Sequence, residues 1–327
     1  MGAFSTPGIA KFNKPIAYAV KHKNDIVREN SRSGGIFTAL SDEVLEENGV
    51  VYGCVLDDSF RAVHVRSEDV ESRNSMRGSK YIQSEMKETF SCVRRDLEDG
   101  RRVLFSGTPC QISGLESFIG KEYENLLCVD IVCYGVPSPL LWISYIKWLE
   151  SIHNSDVIKT EFRNKKDYGW RDHVETVYMS NGKKVNSTIF KSIFSNPSFL
   201  RPCCYRCPYK DIVRPGDITI GDCWGIERIA PEFDDNKGVS LVLINNEKGI
   251  KAFRTIENDI HYVKTDVDKC LQFALKESHK RPKEREKLWN MFYNMSYEDF
   301  LKKMGYIGIK STIKRHCYLV RQKYMKL

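Results

Sequence analysis

Three of the eleven cysteines in this 327-residue chain fall close together at Cys203, Cys204 and Cys207, just ahead of the run Gly216-Asp217-Ile218-Thr219-Ile220-Gly221-Asp222-Cys223-Trp224-Gly225. Thiols two residues apart on a tight turn can direct both sulfurs at one metal centre, and such soft donors suit zinc or an iron–sulfur cluster. Adjacent Cys203 and Cys204 make an awkward pair for one ion. Cys204-x-x-Cys207 has the better spacing, and Pro208 gives it the Cys-Pro ending of iron–sulfur motifs. Two further cysteines sit in punctuated turns: Cys110 in Gly107-Thr108-Pro109-Cys110-Gln111, and Cys133 in Cys133-Tyr134-Gly135-Val136-Pro137. Together they suggest a four-thiolate site of Cys110, Cys133, Cys204 and Cys207, and redox work. Four thiolates satisfy tetrahedral zinc equally well, so zinc remains the alternative.

A hydrophobic content of 41% with 29% charged residues is that of a globular chain with room for two ordinary domains. Neither a leader-like N-terminus nor a membrane-length apolar run is apparent, and eleven cysteines do not resemble a secreted disulfide framework. The reducing cytoplasm is the expected setting.

Element patterns alternate along the chain. Strands are expected at 17–20, 50–56, 62–65, 103–105, 127–132, 157–162, 218–220 and 239–244. Helices are expected at 36–47, 83–97, 109–118, 139–151 and 247–255, and a hairpin should turn at Asn181-Gly182. The fold class is α/β to α+β, with mixed sheets, flanking helices and a helical, basic C-terminal region.

Thr108, Pro109 and Gln111 form a capping box, which places Cys110 at the positive end of a helix dipole, where a thiolate is favoured. Cys54, Cys92, Cys128, Cys270 and Cys317 lie in helix or strand patterns and read as packing residues. Cys223 is a spare ligand candidate. Two turns look like anion cradles: Ser31-Arg32-Ser33-Gly34-Gly35 before a helix, and Arg77-Gly78-Ser79-Lys80-Tyr81 with two cations and a ring. Neither matches a dinucleotide or P-loop fingerprint, but beside a cluster site they suggest a bound dinucleotide or flavin.

Taken in order, the segments Ser33-Gly34-Gly35, Arg77 to Tyr81, Gly107 to Gln111, Cys133 to Ser138, Arg201 to Cys207 and Asp217 to Gly225 resemble the coenzyme F420 hydrogenase/dehydrogenase beta-subunit family. The resemblance covers about residues 15–245. It implies FAD and a 4Fe-4S cluster, and electron passage between a ferredoxin-like partner and a small-molecule hydride carrier. It implies Cys110, Cys133, Cys204 and Cys207 as cluster ligands, and Ser33, Gly34, Gly35, Ser79, Lys80, Tyr81, Thr108 and Gln111 as flavin-lining positions. Lys80 is the expected catalytic residue, stabilising negative charge on a reduced flavin. The implied organisation is an α/β flavin-binding half over 1–150, a mixed half with the CxxC turn over 151–245, and a basic helical region over 246–327.

The chain departs from many relatives in having Cys203 where serine is common and Cys223 where an aromatic is common. It also has no ferredoxin-like cysteine set before Cys54, so its electron partner is expected as a separate protein. It resembles bacterial members associated with surface-polysaccharide gene sets, which leaves the substrate open. A zinc-stapled, non-catalytic binding module and a degenerate member acting as an assembly subunit in glycan synthesis are the alternatives.

Residues 271–327 hold 14 Lys/Arg against 5 Asp/Glu, a net of +9. Ile313, Cys317, Val320 and Tyr324 stand at helical spacing in the tail 310–327, giving a basic amphipathic helix. A solvated closing helix, an acidic redox partner and an anionic membrane are its readings; without a recognised motif, nucleic acid is not expected.

Overall fold

The computed structural model describes residues 10–325. Its strands are β1 (Ile16–His22), β2 (Val50–Leu56), β3 (Ala62–Ser67), β4 (Val103–Gly107), β5 (Leu126–Ile131), β6 (Val157–Glu161), β7 (Glu175–Met179), β8 (Lys184–Ser187), β9 (Ile218–Asp222), β10 (Ser240–Ile244) and β11 (Ile260–Thr265). Eight of them form one mixed sheet in the order β11-β1-β10-β9-β5-β4-β2-β3, and β6-β7-β8 form a small antiparallel sheet. The large sheet therefore draws strands from all three expected segments.

Strands β2, β4, β5 and β9 run parallel, and β1 shares their direction because β10 is antiparallel to both β1 and β9. Alternate residues of the parallel strands face opposite layers, as the two-residue period requires. Val51, Leu104, Leu127 and Val129 pack with the helices Ile36–Glu46 and Glu247–Thr255. Val50, Tyr52, Val103, Phe105 and Cys128 pack with Thr89–Glu98 and Pro109–Ile119. A separate aromatic core, including Trp142, Tyr145, Phe190 and Phe300, joins the small sheet to the helices Pro139–His153, Ile189–Phe194 and Tyr297–Lys303.

The carboxyl ends of β1, β2, β4, β5 and β9 share one edge, the side on which open α/β sheets place their ligands. The turns at Ser31 to Gly35, Arg77 to Tyr81, Gly107 to Gln111, Cys133 to Pro137 and Asp222 to Gly225 follow or neighbour a strand on that edge.

Three expectations need correction. The helix expected from Gln83 begins at Thr89, because Glu85 exchanges backbone hydrogen bonds with Ala62 and His64 and extends the β3 edge. The region after residue 246 is not wholly helical: β11 closes the sheet against β1, stacking Tyr262 edge-on to Tyr18 and Phe253, while its weak polarity alternation hides it. Cys317 is exposed rather than packed. The tail helix runs Ile309–Met325; Lys326 and Leu327 of the expected span, like the N-terminal stretch before residue 10, lie outside the described residues.

Candidate functional site

Pro109 and Thr108 start the helix Pro109–Ile119, and Gln111 Oε1 accepts from the Thr108 N–H at 2.9 Å. This fixes Cys110 in the first turn, exposed, with its sulfur 3.1 Å from Thr108 Oγ1. Cys133 leaves the end of β5 next door. The turn that carries it touches the Cys204 turn directly: Pro137 bridges Leu200, Arg201 N–H donates to the Val136 carbonyl at 3.0 Å, and a Cβ on Gly135 would stand 3.6 Å from Cys204 Cβ.

The thiols feel one another. Burial pushes the Cys133 thiol up to about 11, with Lys210 opposing and Cys110 and Cys204 adding. Burial likewise raises Cys204, with the Val136 backbone opposing and Cys203 and Cys207 adding. Burial lowers Lys210 against the pull of Cys133, Cys207 and Cys204. The Lys210 ammonium donates to the carbonyls of Cys133 and Tyr134, the latter at 3.0 Å, and Ser278 donates to the Cys207 carbonyl at 3.3 Å. All eleven cysteines are free thiols. Four neighbouring thiols with one cation among them are a donor set suited to a thiolate-bound cluster. Among the described residues no three His, Cys, Asp or Glu side chains form a group that could hold a metal ion, so the thiol geometry by itself favours neither zinc nor a cluster.

A second group lies at the ends of β1 and β9. Ser33 Oγ donates to the Val239 carbonyl at 2.7 Å, and the Gly34 N–H donates to Ser240 Oγ at 2.9 Å. Gly35 caps the following helix at φ +96°. Beside this turn Asp222 Oδ2 accepts from Arg163 at 3.0 Å and lies 3.7 Å from Arg32, while Trp170 Nε1 donates to Oδ1 at 2.8 Å. Burial alone would raise the Asp222 carboxyl, but Arg32, Arg163 and the Trp170 N–H hold it below its ordinary value. One carboxylate thus faces two guanidiniums. Lys165 nearby is driven down to about 7 by burial and by Arg32 and Arg28. Nε and Nη1 of Arg32 are buried without a hydrogen-bond partner, an arrangement that favours an anionic ligand.

Flat rings stand beside the same cationic group, with Arg163 5.4 Å from the Trp224 ring centre. Tyr81 and His173 stack with centroids 6.2 Å apart, His173 and Trp224 at 6.4 Å, and Trp224 and Trp170 at 5.0 Å. Burial, with Arg163, Arg32 and Lys191, takes the His173 imidazole down to about 2, so it is neutral. Phe194 stands between these rings and the Cys133 turn, its ring centre 4.7 Å from that of Tyr81 and 5.3 Å from that of Tyr134, the neighbour of Cys133.

The remaining expected residues are more dispersed. Gln111 Nε2 donates to Ser84 Oγ at 2.7 Å, and Ser79 is exposed. The Lys80 ammonium donates to the carbonyls of Ser75, Met76 and Arg77 at 3.0, 3.0 and 3.1 Å. Burial lowers it to about 8, with Cys54 opposing. Sequence reasoning missed Arg163, Asp222, His173, Trp224 and Lys210 as site residues, and took Arg32 only as part of a turn. Asp222 and Trp224 lay inside a quoted motif; Arg163 and His173 flank a loop with no local signal of what it faces.

A family model describing the C terminus of the coenzyme F420 hydrogenase/dehydrogenase beta subunit matches residues 100–269, which include all four cysteines and Asp222. No curated protein matches the chain. Among solved structures, a chain of the xenon-derivatised F420-reducing [NiFe] hydrogenase complex from Methanosarcina barkeri is similar, with a TM-score of 0.51 and 18% identity over 87% of this chain and 94% of that one. The family match over more than half the chain makes this protein a member of the coenzyme F420 hydrogenase/dehydrogenase beta-subunit family.

Proposed function

We propose that this oxidoreductase-type subunit passes electrons between a ferredoxin-like partner and a small-molecule hydride donor or acceptor, using FAD and a 4Fe-4S cluster. The observation that supports the reading is the placement of four free thiols on three neighbouring turns beside Lys210, with Phe194 between them and the cationic, ring-flanked group around Arg32 and Asp222. When bound, a flavin supplies hydride chemistry and an iron–sulfur cluster supplies single-electron transfer.

Cys110, Cys133, Cys204 and Cys207 would hold the cluster through their sulfurs. Lys210 and the helix start at Cys110 would offset its negative charge. Arg32 would take an anionic part of the flavin with its unpartnered N–H groups, and Tyr81, His173 and Trp224 offer flat apolar surface for a ring. The Ser33-Gly34-Gly35 turn would position Arg32, since its own Oγ and N–H are already engaged. Lys80, tied to three carbonyls, would act as a fixed charge. Ser79, Thr108 and Gln111 remain proposed flavin neighbours.

The similar solved chain belongs to a hydrogenase complex, which supports a reading in which this chain also works with partner proteins. Among the described residues no helix is long and apolar enough to cross a membrane.

The test replaces Cys204 and Cys207 together by serine in anaerobically prepared protein, with Cys54→Ser as control. The reading expects iron and the visible cluster absorbance to vanish only in the double variant. Full iron retention there would reject the ligand assignment.

A further inference from the structure

The helix Ile309–Met325 attaches to the body by one face. Tyr318 Oη donates to Asp172 Oδ1 at 2.6 Å, Lys191 Nζ stands 5.2 Å from the Tyr318 ring centre, and Arg315 reaches the Tyr306 carbonyl. With 3.6 residues per turn, Ile309, Ile313, Cys317, Val320 and Tyr324 fall on the opposite face. All five are exposed, Ile309 by 82% and Tyr324 by 71%. The stripe expected from the sequence is thus real, but it points away from the protein.

Lys310, Lys314 and Arg321 line one margin of this stripe and Lys323 the other, and the helix contains no Asp or Glu. An acidic protein surface would satisfy the cations while setting its charges against the isoleucines and valine. An anionic bilayer satisfies both, with headgroup phosphates at the margins and acyl chains beneath the stripe. The inner face, already bonded to Asp172 and Tyr306, would hold the helix parallel to the lipid surface.

We propose that the outward face of Ile309–Met325 docks this protein on anionic phospholipid membranes. The proposal is independent of the electron-transfer reading, since no cofactor residue lies on the helix.

The test uses the full chain and sedimentation with vesicles of phosphatidylcholine alone or with added phosphatidylserine. The parent should sediment only with the anionic vesicles, and high salt should release it. Two variants follow: Lys310→Glu with Lys314→Glu and Arg321→Glu, and Ile313→Asp with Val320→Asp. These positions are solvent-facing, so circular dichroism should match the parent. The triple charge reversal should weaken anionic-vesicle binding by roughly 100-fold or more, at about 1 kcal/mol per cation near the surface. The Ile313→Asp/Val320→Asp variant should also lose binding. The proposal is overturned if the parent fails to sediment, binds both vesicle types equally, or is matched by either variant. A parent that ignores vesicles but forms a dimer broken by Ile313→Asp/Val320→Asp would make the stripe a protein interface instead.

Discussion

Arg214 Nη2 lies 2.7 Å from Asp130 Oδ1, and neither side chain has any solvent exposure. Arg214 Nε donates to the same oxygen at 3.0 Å, and the Gly216 N–H donates to Oδ2 at 3.0 Å. Asp130 belongs to β5, just ahead of Cys133, and Arg214 lies in the segment leading from Cys207 into β9. The pair therefore fastens two cysteine-bearing turns to the sheet. Removing one partner leaves a buried charge without its counter-ion, so Asp130→Asn or Arg214→Met should each cost about 3–5 kcal/mol. Urea midpoints, with unchanged slope, measure it. Losses below about 1 kcal/mol would mean that the pair does not hold the loop.

Gly34 is where the turn between the first two helices meets the sheet. A Cβ there would stand 2.1 Å from the Val20 carbonyl oxygen and 2.7 Å from the Ser240 nitrogen, both backbone atoms that cannot swing aside. Gly34→Ala should therefore be severely destabilising. Gly78→Ala meets nothing within 4 Å and carries only the strain of φ +80°, so about 1 kcal/mol is expected. Thermal unfolding of the two variants side by side checks the ordering, and equal losses would contradict it.

Glu116, on the helix Pro109–Ile119 that carries Cys110, has its carboxyl raised to about 7 by burial, with Lys11 opposing and Asp217 and Asp130 adding. Above its ordinary value the unfolded chain has released this proton while the folded protein keeps it. The stabilisation is complete below the unfolded pKa and is lost as pH rises through about 7. Glu116→Gln should remove that loss. Melting temperatures of parent and variant should diverge in the variant's favour on the alkaline side and converge in acid; parallel curves would rule the effect out.

Arg32→Met removes the guanidinium with two unpartnered N–H groups and leaves the thiols untouched. If Arg32 meets an anionic part of the flavin, retained flavin should fall about tenfold or more, in line with the loss of a charged hydrogen bond of ~1.5–3 kcal/mol. Iron content should stay unchanged. Flavin fluorescence after denaturation and iron assay on the same sample give both numbers. Undiminished flavin would remove Arg32 from the site.

The sequence made the thiol half legible because its signals are local: a CxxC spacing, a capping box and two turns with glycine or proline. Most strands of the large sheet were legible for the same reason, through runs such as Val50 to Leu56 and Ser240 to Ile244. The cationic group was not, since Arg32, Arg163 and Asp222 meet only when β1, the segment after β6 and β9 are brought together by sheet register. Lys80 shows what a local signal leaves out. Its turn looked like an anion cradle, yet the ammonium is occupied by three carbonyls of its own loop. The tail stripe was visible as a period, but the contacts of Tyr318 and Arg315 with the body tell which face looks outward.

The proposal that four thiols and the neighbouring cationic group hold a cluster and a flavin is tested most directly by composition. Protein purified without oxygen should contain about four iron and four sulfide per chain, as a four-cysteine cubane requires, together with bound FAD. Zinc in place of iron with no flavin, or a colourless protein containing neither, would contradict it.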